Sequence, residues 1–146
     1  YGDGPRQIMD LLFLGGEGNF DGMQLSKLAI THVLNVAREV TGPMRSGENV
    51  DMAGHPIAYR HYRWDHDEPD LHKYFDECFA FIDAARSRNE NVLVHCQLGV
   101  SRSASLVIAY VMRTLGMGFS AAYEYVQSRA PCISPNLSLI AQLCEY

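Results

Sequence analysis

Apolar residues follow two rhythms along this chain. Short unbroken runs such as Val92, Leu93 and Val94, rich in β-branched side chains, read as strands buried on both faces. Longer stretches repeat every three or four positions and read as helices. Leu71, Tyr74, Phe75, Cys78, Phe79, Ile82 and Ala85 share one helical face, and Asp70 is placed to cap it. From the front, "IMDLLFLGG" predicts one or two short strands, "FDGMQLSKLA" a short helix and "ITHVLNVA" another strand. Arg38 to Pro56 carries Gly42, Pro43, Gly47, Gly54 and Pro56 with little periodicity, and reads as a long surface loop. "IAYRHYRW" alternates and is aromatic, hence a strand.

The run from Ser103 to Leu115 lacks internal Gly or Pro and predicts a helix stopped by Gly116. Two more helices follow, "SAAYEYVQSRA", broken by Pro131, and "SPNLSLIAQLCEY", with Ser134 as N-cap and Pro135 in the first turn. Strands alternating with helices predict one α/β domain over residues 1–146, a central mixed, mostly parallel sheet flanked by helices. The chain starts with Tyr1 and stops within a helical pattern, which suggests a domain cut from something longer.

Composition narrows the classes. At 47% apolar and 20% charged, the chain is ordinary for a globular domain. A net charge of −5 with 12 scattered Lys and Arg offers no basic face for nucleic acid. No apolar stretch approaches the roughly 20 residues of a membrane span, so the expectation is a monomer with no membrane partner, intracellular, cytoplasmic or nuclear. Cys78, Cys96, Cys132 and Cys144 form no C-x-x-C pair, which fits neither a zinc site nor a dense disulfide framework. Cys78, Cys132 and Cys144 are read as small hydrophobes.

Cys96 is different because of where it falls. It follows a buried strand and precedes a helix, at the carboxyl edge where α/β sheets place their sites. The turn Gln97, Leu98, Gly99, Val100, Ser101 and Arg102 can aim successive backbone N–H groups inward, and the helix behind adds the positive end of its dipole. Both favour an anion, and both favour thiolate over thiol. Arg102 offers a planar fork for two phosphate oxygens, which lysine cannot copy. Thiolate, amide cradle and guanidinium together describe nucleophilic displacement at phosphorus through a cysteinyl-phosphate intermediate.

The string "VHCQLGVSRSA" resembles the signature loop of the cysteine-dependent protein tyrosine phosphatases, and its S-R-S ending resembles the dual-specificity branch. "LFLGGEGNF", "LAITHVLNVARE", "DHDEPDL" and "ISPNLSLIAQL" are similar to further landmarks of that family, and the loop is most similar to MAP kinase phosphatases. The resemblance implies a protein tyrosine phosphatase-like fold and hydrolysis of phosphotyrosine and phosphoserine or phosphothreonine, without cofactor or metal. A phosphorylated protein, such as a MAP kinase, would be the partner. It also implies that Cys96 is the nucleophile and Arg102 the clamp. His95 would hold the loop and tune the thiol, Ser103 would assist the departing thiolate, and Asn136 would brace the loop.

By the same resemblance the general acid stands five residues before the Asp that opens the long helix, which selects Asp65, with Asp67 second. Glu68 is left as a solvated loop residue and Asp70 as a cap. A metal site from His66, Asp67 and His72 matches no strong ligand spacing. Gln97, Leu98, Val100 and Ser101 bring no charge into the loop, which weakens a phosphoinositide substrate. A phosphoprotein-binding module without turnover and a thiol-redox protein are the competing classes, the latter lacking a neighbouring resolving cysteine.

Overall fold

The computed structural model describes residues 1–40, 49–52 and 55–146, with side chains described for 1–40 and 56–146. Among the described residues six strands form one sheet: β1 (Arg6–Met9), β2 (Leu12–Gly15), β3 (Ile30–Asn35), β4 (Asn49–Met52), β5 (His55–His61) and β6 (Asn91–His95). Their spatial order is β1-β2-β6-β3-β5-β4. The four inner strands run parallel, and antiparallel β1 and β4 close the two edges. The helices are α1 (Gly22–Lys27), α2 (His72–Ser87), α3 (Arg102–Leu115), α4 (Phe119–Arg129) and α5 (Leu137–Cys144), with a 3₁₀ turn at Glu17–Asn19.

The period-2 alternation of the strands divides the core into two layers. Leu12, Leu14, Leu34, Val92 and Val94 face the larger core, built with residues of α2, α3, α4 and α5. Phe13, Val33, Leu93, Ile57 and Tyr59 face the smaller one, covered by Leu25 of α1 with Phe20 and Leu28. Helix α3 is central: every residue from Arg102 to Val111 is buried. Its all-round burial explains why "SASLVIAYV" carries no polar stripe. Among the described residues no single helix is long and apolar enough to cross a membrane.

Three local readings of the sequence are corrected. Part of the Arg38 to Pro56 span is sheet, because Asn49–Met52 pairs antiparallel with β5; residues 41–48 and 53–54 of that span lie outside the described residues. A four-residue edge strand of mixed polarity carries too short a pattern to announce itself. Asp70 does not cap α2. The helix begins at His72, and the Leu71 N–H donates instead to Gln142 Oε1 of α5 at 2.7 Å. In α5 the N-cap is Asn136 rather than Ser134, since Asn136 Oδ1 accepts from Leu139 N at 3.0 Å. Pro135 therefore precedes the cap.

Gly116 ends α3 as the pattern predicts, in the left-handed conformation at φ +65°. A Cβ there would meet no neighbour within 4 Å, so only the backbone conformation resists a side chain. Gly116→Ala is expected to lower stability by about 1 kcal/mol in a urea titration, with activity unchanged.

Candidate active site

The parallel strands β2, β6, β3 and β5 all end at one edge of the sheet and deliver four loops to it. Cys96 follows β6 directly, is 2% exposed, and lies at the start of the loop leading into α3. The Gly99 N–H donates to Cys96 Sγ at 3.2 Å, and Ser103 Oγ lies 3.1 Å from the same sulfur.

The loop's carbonyls explain its inward-facing amides. His95 Nδ1 donates to the Cys96 carbonyl at 3.0 Å and the Glu17 N–H to that of Gln97 at 2.8 Å. The Tyr1 hydroxyl donates to the Gly99 carbonyl at 2.6 Å and the Ser134 N–H to that of Val100 at 2.7 Å. The Ser101 carbonyl takes both the N–H and the hydroxyl of Ser105, at 2.8 and 2.7 Å. A trans peptide points its C=O and N–H in opposite directions. Tying the carbonyls outward therefore turns the amides toward the hollow of the loop. Gly99 has φ +72°, and a Cβ there would lie 2.5 Å from the Gly15 carbonyl oxygen, so glycine is required twice over.

Arg102 is 1% exposed at the first position of α3. Nη1 donates to Glu39 Oε2 at 2.8 Å and to the Trp64 carbonyl at 3.0 Å, while Nη2 donates to Glu39 Oε1 at 2.5 Å. Three of the five guanidinium hydrogens are thereby used. The Nε–H, buried and unpartnered among the described residues, and the second hydrogen of Nη2 remain along one edge. Burial opposes the Arg102 charge, but the Glu39 hydrogen bonds outweigh it and raise the guanidinium pKa. Reciprocally, Arg102 pulls the Glu39 carboxyl down to about 2.

The hollow has a volume of about 180 Å³ and is lined by His66, Cys96, Gln97, Leu98, Val100, Ser101 and Arg102. Asp65 stands outside that lining, 52% exposed, with Oδ1 2.8 Å from Arg38 Nε. The loop carrying it is fastened to α5. Asn136 Nδ2 donates to the His66 carbonyl and Gln142 Nε2 to the Glu68 carbonyl, the latter at 2.6 Å. Asn136 also touches the cradle, its backbone N–H donating to Ser101 Oγ at 3.1 Å. Glu68, expected to be solvated, is 7% exposed because this fastening draws its segment inward. Cys132 and Cys144, read as small hydrophobes, are exposed, whereas Cys78 is buried.

His95 lies fully buried on the α1 face of the sheet, its ring meeting Phe20 edge-on at 5.6 Å. Burial holds its pKa down to about 4, so it holds the loop as a neutral hydrogen-bond donor. Sequence reasoning missed Glu39, Gln142 and Tyr1. Glu39 had a signal, since an arginine buried behind a catalytic loop needs a carboxylate. Among the described residues no group of His, Cys, Asp and Glu could hold a metal ion, the His66, Asp67 and His72 combination included.

A buried thiol within an arginine-backed hollow at the carboxyl edge of an α/β sheet has the shape and polarity to receive an anion. Residues 12–146 match the family model described as dual specificity phosphatase, catalytic domain, and the chain belongs to that family. It is 36% identical over 148 residues to protein phosphatase Slingshot of Drosophila melanogaster, covering 99% of this chain and 13% of that protein. It is 44% identical over 124 residues to tyrosine-protein phosphatase pmp1 of Schizosaccharomyces pombe, covering 78% of this chain and 44% of that one. The chain thus spans less than half the length of either relative. The fold superposes on the human tyrosine phosphatase-like serine/threonine/tyrosine-interacting protein with TM-score 0.84 and 31% identity, over 98% of this chain and 95% of the other.

Two outcomes follow from the charges. Glu39→Gln removes the counter-charge of a buried arginine and is expected to cost about 1–3 kcal/mol by urea unfolding, less than a fully buried pair because Glu39 is 40% exposed. His95 is neutral when folded down to about pH 4, yet its ordinary value is 6.5. Protons therefore favour the unfolded chain between those values, and stability present above pH 6.5 is lost as pH falls toward 4. His95→Asn should shrink that acid-induced loss by about 3 kcal/mol, measured as stability against pH.

Proposed function

We propose that this domain is an active protein phosphatase that hydrolyses phosphotyrosine and phosphoserine or phosphothreonine. The carrying observation is the free edge of Arg102 set beside Cys96 Sγ and the inward amides, an arrangement with room for three phosphoryl oxygens and one nucleophile. The Cys96 thiolate attacks phosphorus, forming the S–P bond as the P–O bond to the leaving group breaks. Asp65 gives its proton to that leaving oxygen. In the second step water attacks the cysteinyl phosphate, Asp65 takes a proton from it, and the S–P bond breaks. The Ser103 hydroxyl, 3.1 Å from the sulfur, donates to the returning thiolate.

A hollow of about 180 Å³ with an exposed Leu98 at its mouth suits short as well as long phosphorylated side chains. The uncharged loop favours a phosphoprotein over a phosphoinositide. A doubly phosphorylated Thr-x-Tyr segment of a MAP kinase inside the cell is the substrate this reading selects, met by a monomeric domain. A second reading, a phosphoprotein-binding module, is favoured by the Arg38–Asp65 pair, which holds the acid outside the lining of the hollow.

Turnover decides between them. Cys96→Ser should abolish p-nitrophenyl phosphate hydrolysis while retaining vanadate binding; a wild-type chain with no turnover would favour the binding module. Asp65→Asn should lower kcat about 10²–10⁴-fold for phenyl phosphate and phosphothreonine, yet spare aryl phosphates with very acidic phenols. If Asp67→Asn shows that leaving-group dependence instead, the acid is Asp67. Arg102→Lys should cost several powers of ten in kcat/KM, because a point charge cannot bridge two oxygens.

A further inference from the structure

Tyr1 lies far from the cradle in sequence and touches it from behind. Its ring packs on Gly99 so tightly that a Cβ there would come 2.3 Å from Tyr1 Cε2. Its hydroxyl donates to the Gly99 carbonyl at 2.6 Å. The residue is itself pinned, because its backbone carbonyl accepts from Asn19 Nδ2 at 3.3 Å and from the Gly4 N–H at 3.0 Å. Asn19 is buried and is fixed in turn, its Oδ1 accepting from the Gly16 N–H at 3.0 Å. Burial, with the Cys132 thiol adding to it, raises the phenol well above its ordinary pKa, so the proton stays on the oxygen.

Gly99 is the pivot of the loop. Its N–H reaches forward to Cys96 Sγ, and its carbonyl is drawn back by Tyr1. In the planar peptide between Gly99 and Val100, a carbonyl held backward turns the Val100 N–H forward, and Val100 lines the hollow. Other carbonyls of this loop are anchored by backbone N–H groups or by residues within a few positions of it. The Gly99 carbonyl depends on a side chain from a segment 98 residues away.

We propose that Tyr1 is a positioning residue of the phosphate cradle: its hydroxyl, on the Gly99 carbonyl, orients the Val100 amide toward the phosphoryl oxygens. This rests on the phosphatase reading above. The effect acts on the phosphoryl group and not on the leaving group, which separates it from anything transmitted through Asp65.

Tyr1→Phe keeps the ring on Gly99 and removes only the hydroxyl. The expected result is a vanadate inhibition constant raised about tenfold, about 1.4 kcal/mol, and a kcat/KM lowered by a similar factor for p-nitrophenyl and phenyl phosphate alike. The melting temperature should fall only slightly, as expected for the loss of one hydrogen bond to a part-buried carbonyl. In an amide NMR spectrum, the Val100 resonance should move on vanadate addition in the wild type and much less in the variant. A variant within twofold of wild type in vanadate affinity would overturn the proposal. So would a loss confined to phenyl phosphate, or a fall in melting temperature with the inhibition constant and the Val100 response unchanged. Wild type that neither turns over nor binds vanadate would overturn the phosphatase reading, and this inference with it.

Discussion

A guanidinium with 1% exposure is a charge taken almost wholly out of water, and the loops at the carboxyl edge of the sheet are arranged around that fact. Arg102 needs a carboxylate and further acceptors, and these come from two other strand ends: Glu39 after β3, and the Trp64 carbonyl after β5. One buried cation therefore ties three loops into one body. The Trp64 carbonyl also accepts from the Arg38 N–H at 3.0 Å, which fixes the turn that carries Glu39. Because Glu39 takes one edge of the guanidinium, the other edge is left committed in direction and free of protein partners among the described residues. That free edge is fixed in direction by the same contact that makes the burial of the charge tolerable.

The cradle is held by the complementary device. Amides can converge on an anion only if their carbonyls find acceptable partners elsewhere, since an unpaired buried carbonyl is costly. Here those partners come from the chain's front (Tyr1, Glu17), from α3 itself (Ser105), from His95 and from the segment before α5 (Ser134). Helix α5 also fastens the loop that carries Asp65, through Asn136 and Gln142. Segments far apart in sequence, around Tyr1 and Glu17 and around Ser134, thus hold one short loop.

The order of strands and helices apart from the edge strand β4, and the place of Cys96 after β6 with Arg102 and Ser103 opening α3, could be read from the sequence. Each rests on local information: apolar period, a glycine stop, and a thiol and a guanidinium within one loop. The tertiary structure alone decided the rest. Asp70 does not cap α2, because the helix starts only at His72, with Leu71 at the cap position and its N–H held by Gln142 of α5. Glu68 turns inward because that same glutamine holds its carbonyl. Asn136 holds both the loop that carries Asp65 and Ser101 of the cradle, and His95 is neutral because burial, which no spacing reveals, sets its charge. Glu39, Gln142 and Tyr1 were silent for one physical reason. A hydrogen bond or ion pair between residues far apart in the chain leaves no periodic trace, and it exists only once the sheet has brought the strand ends together.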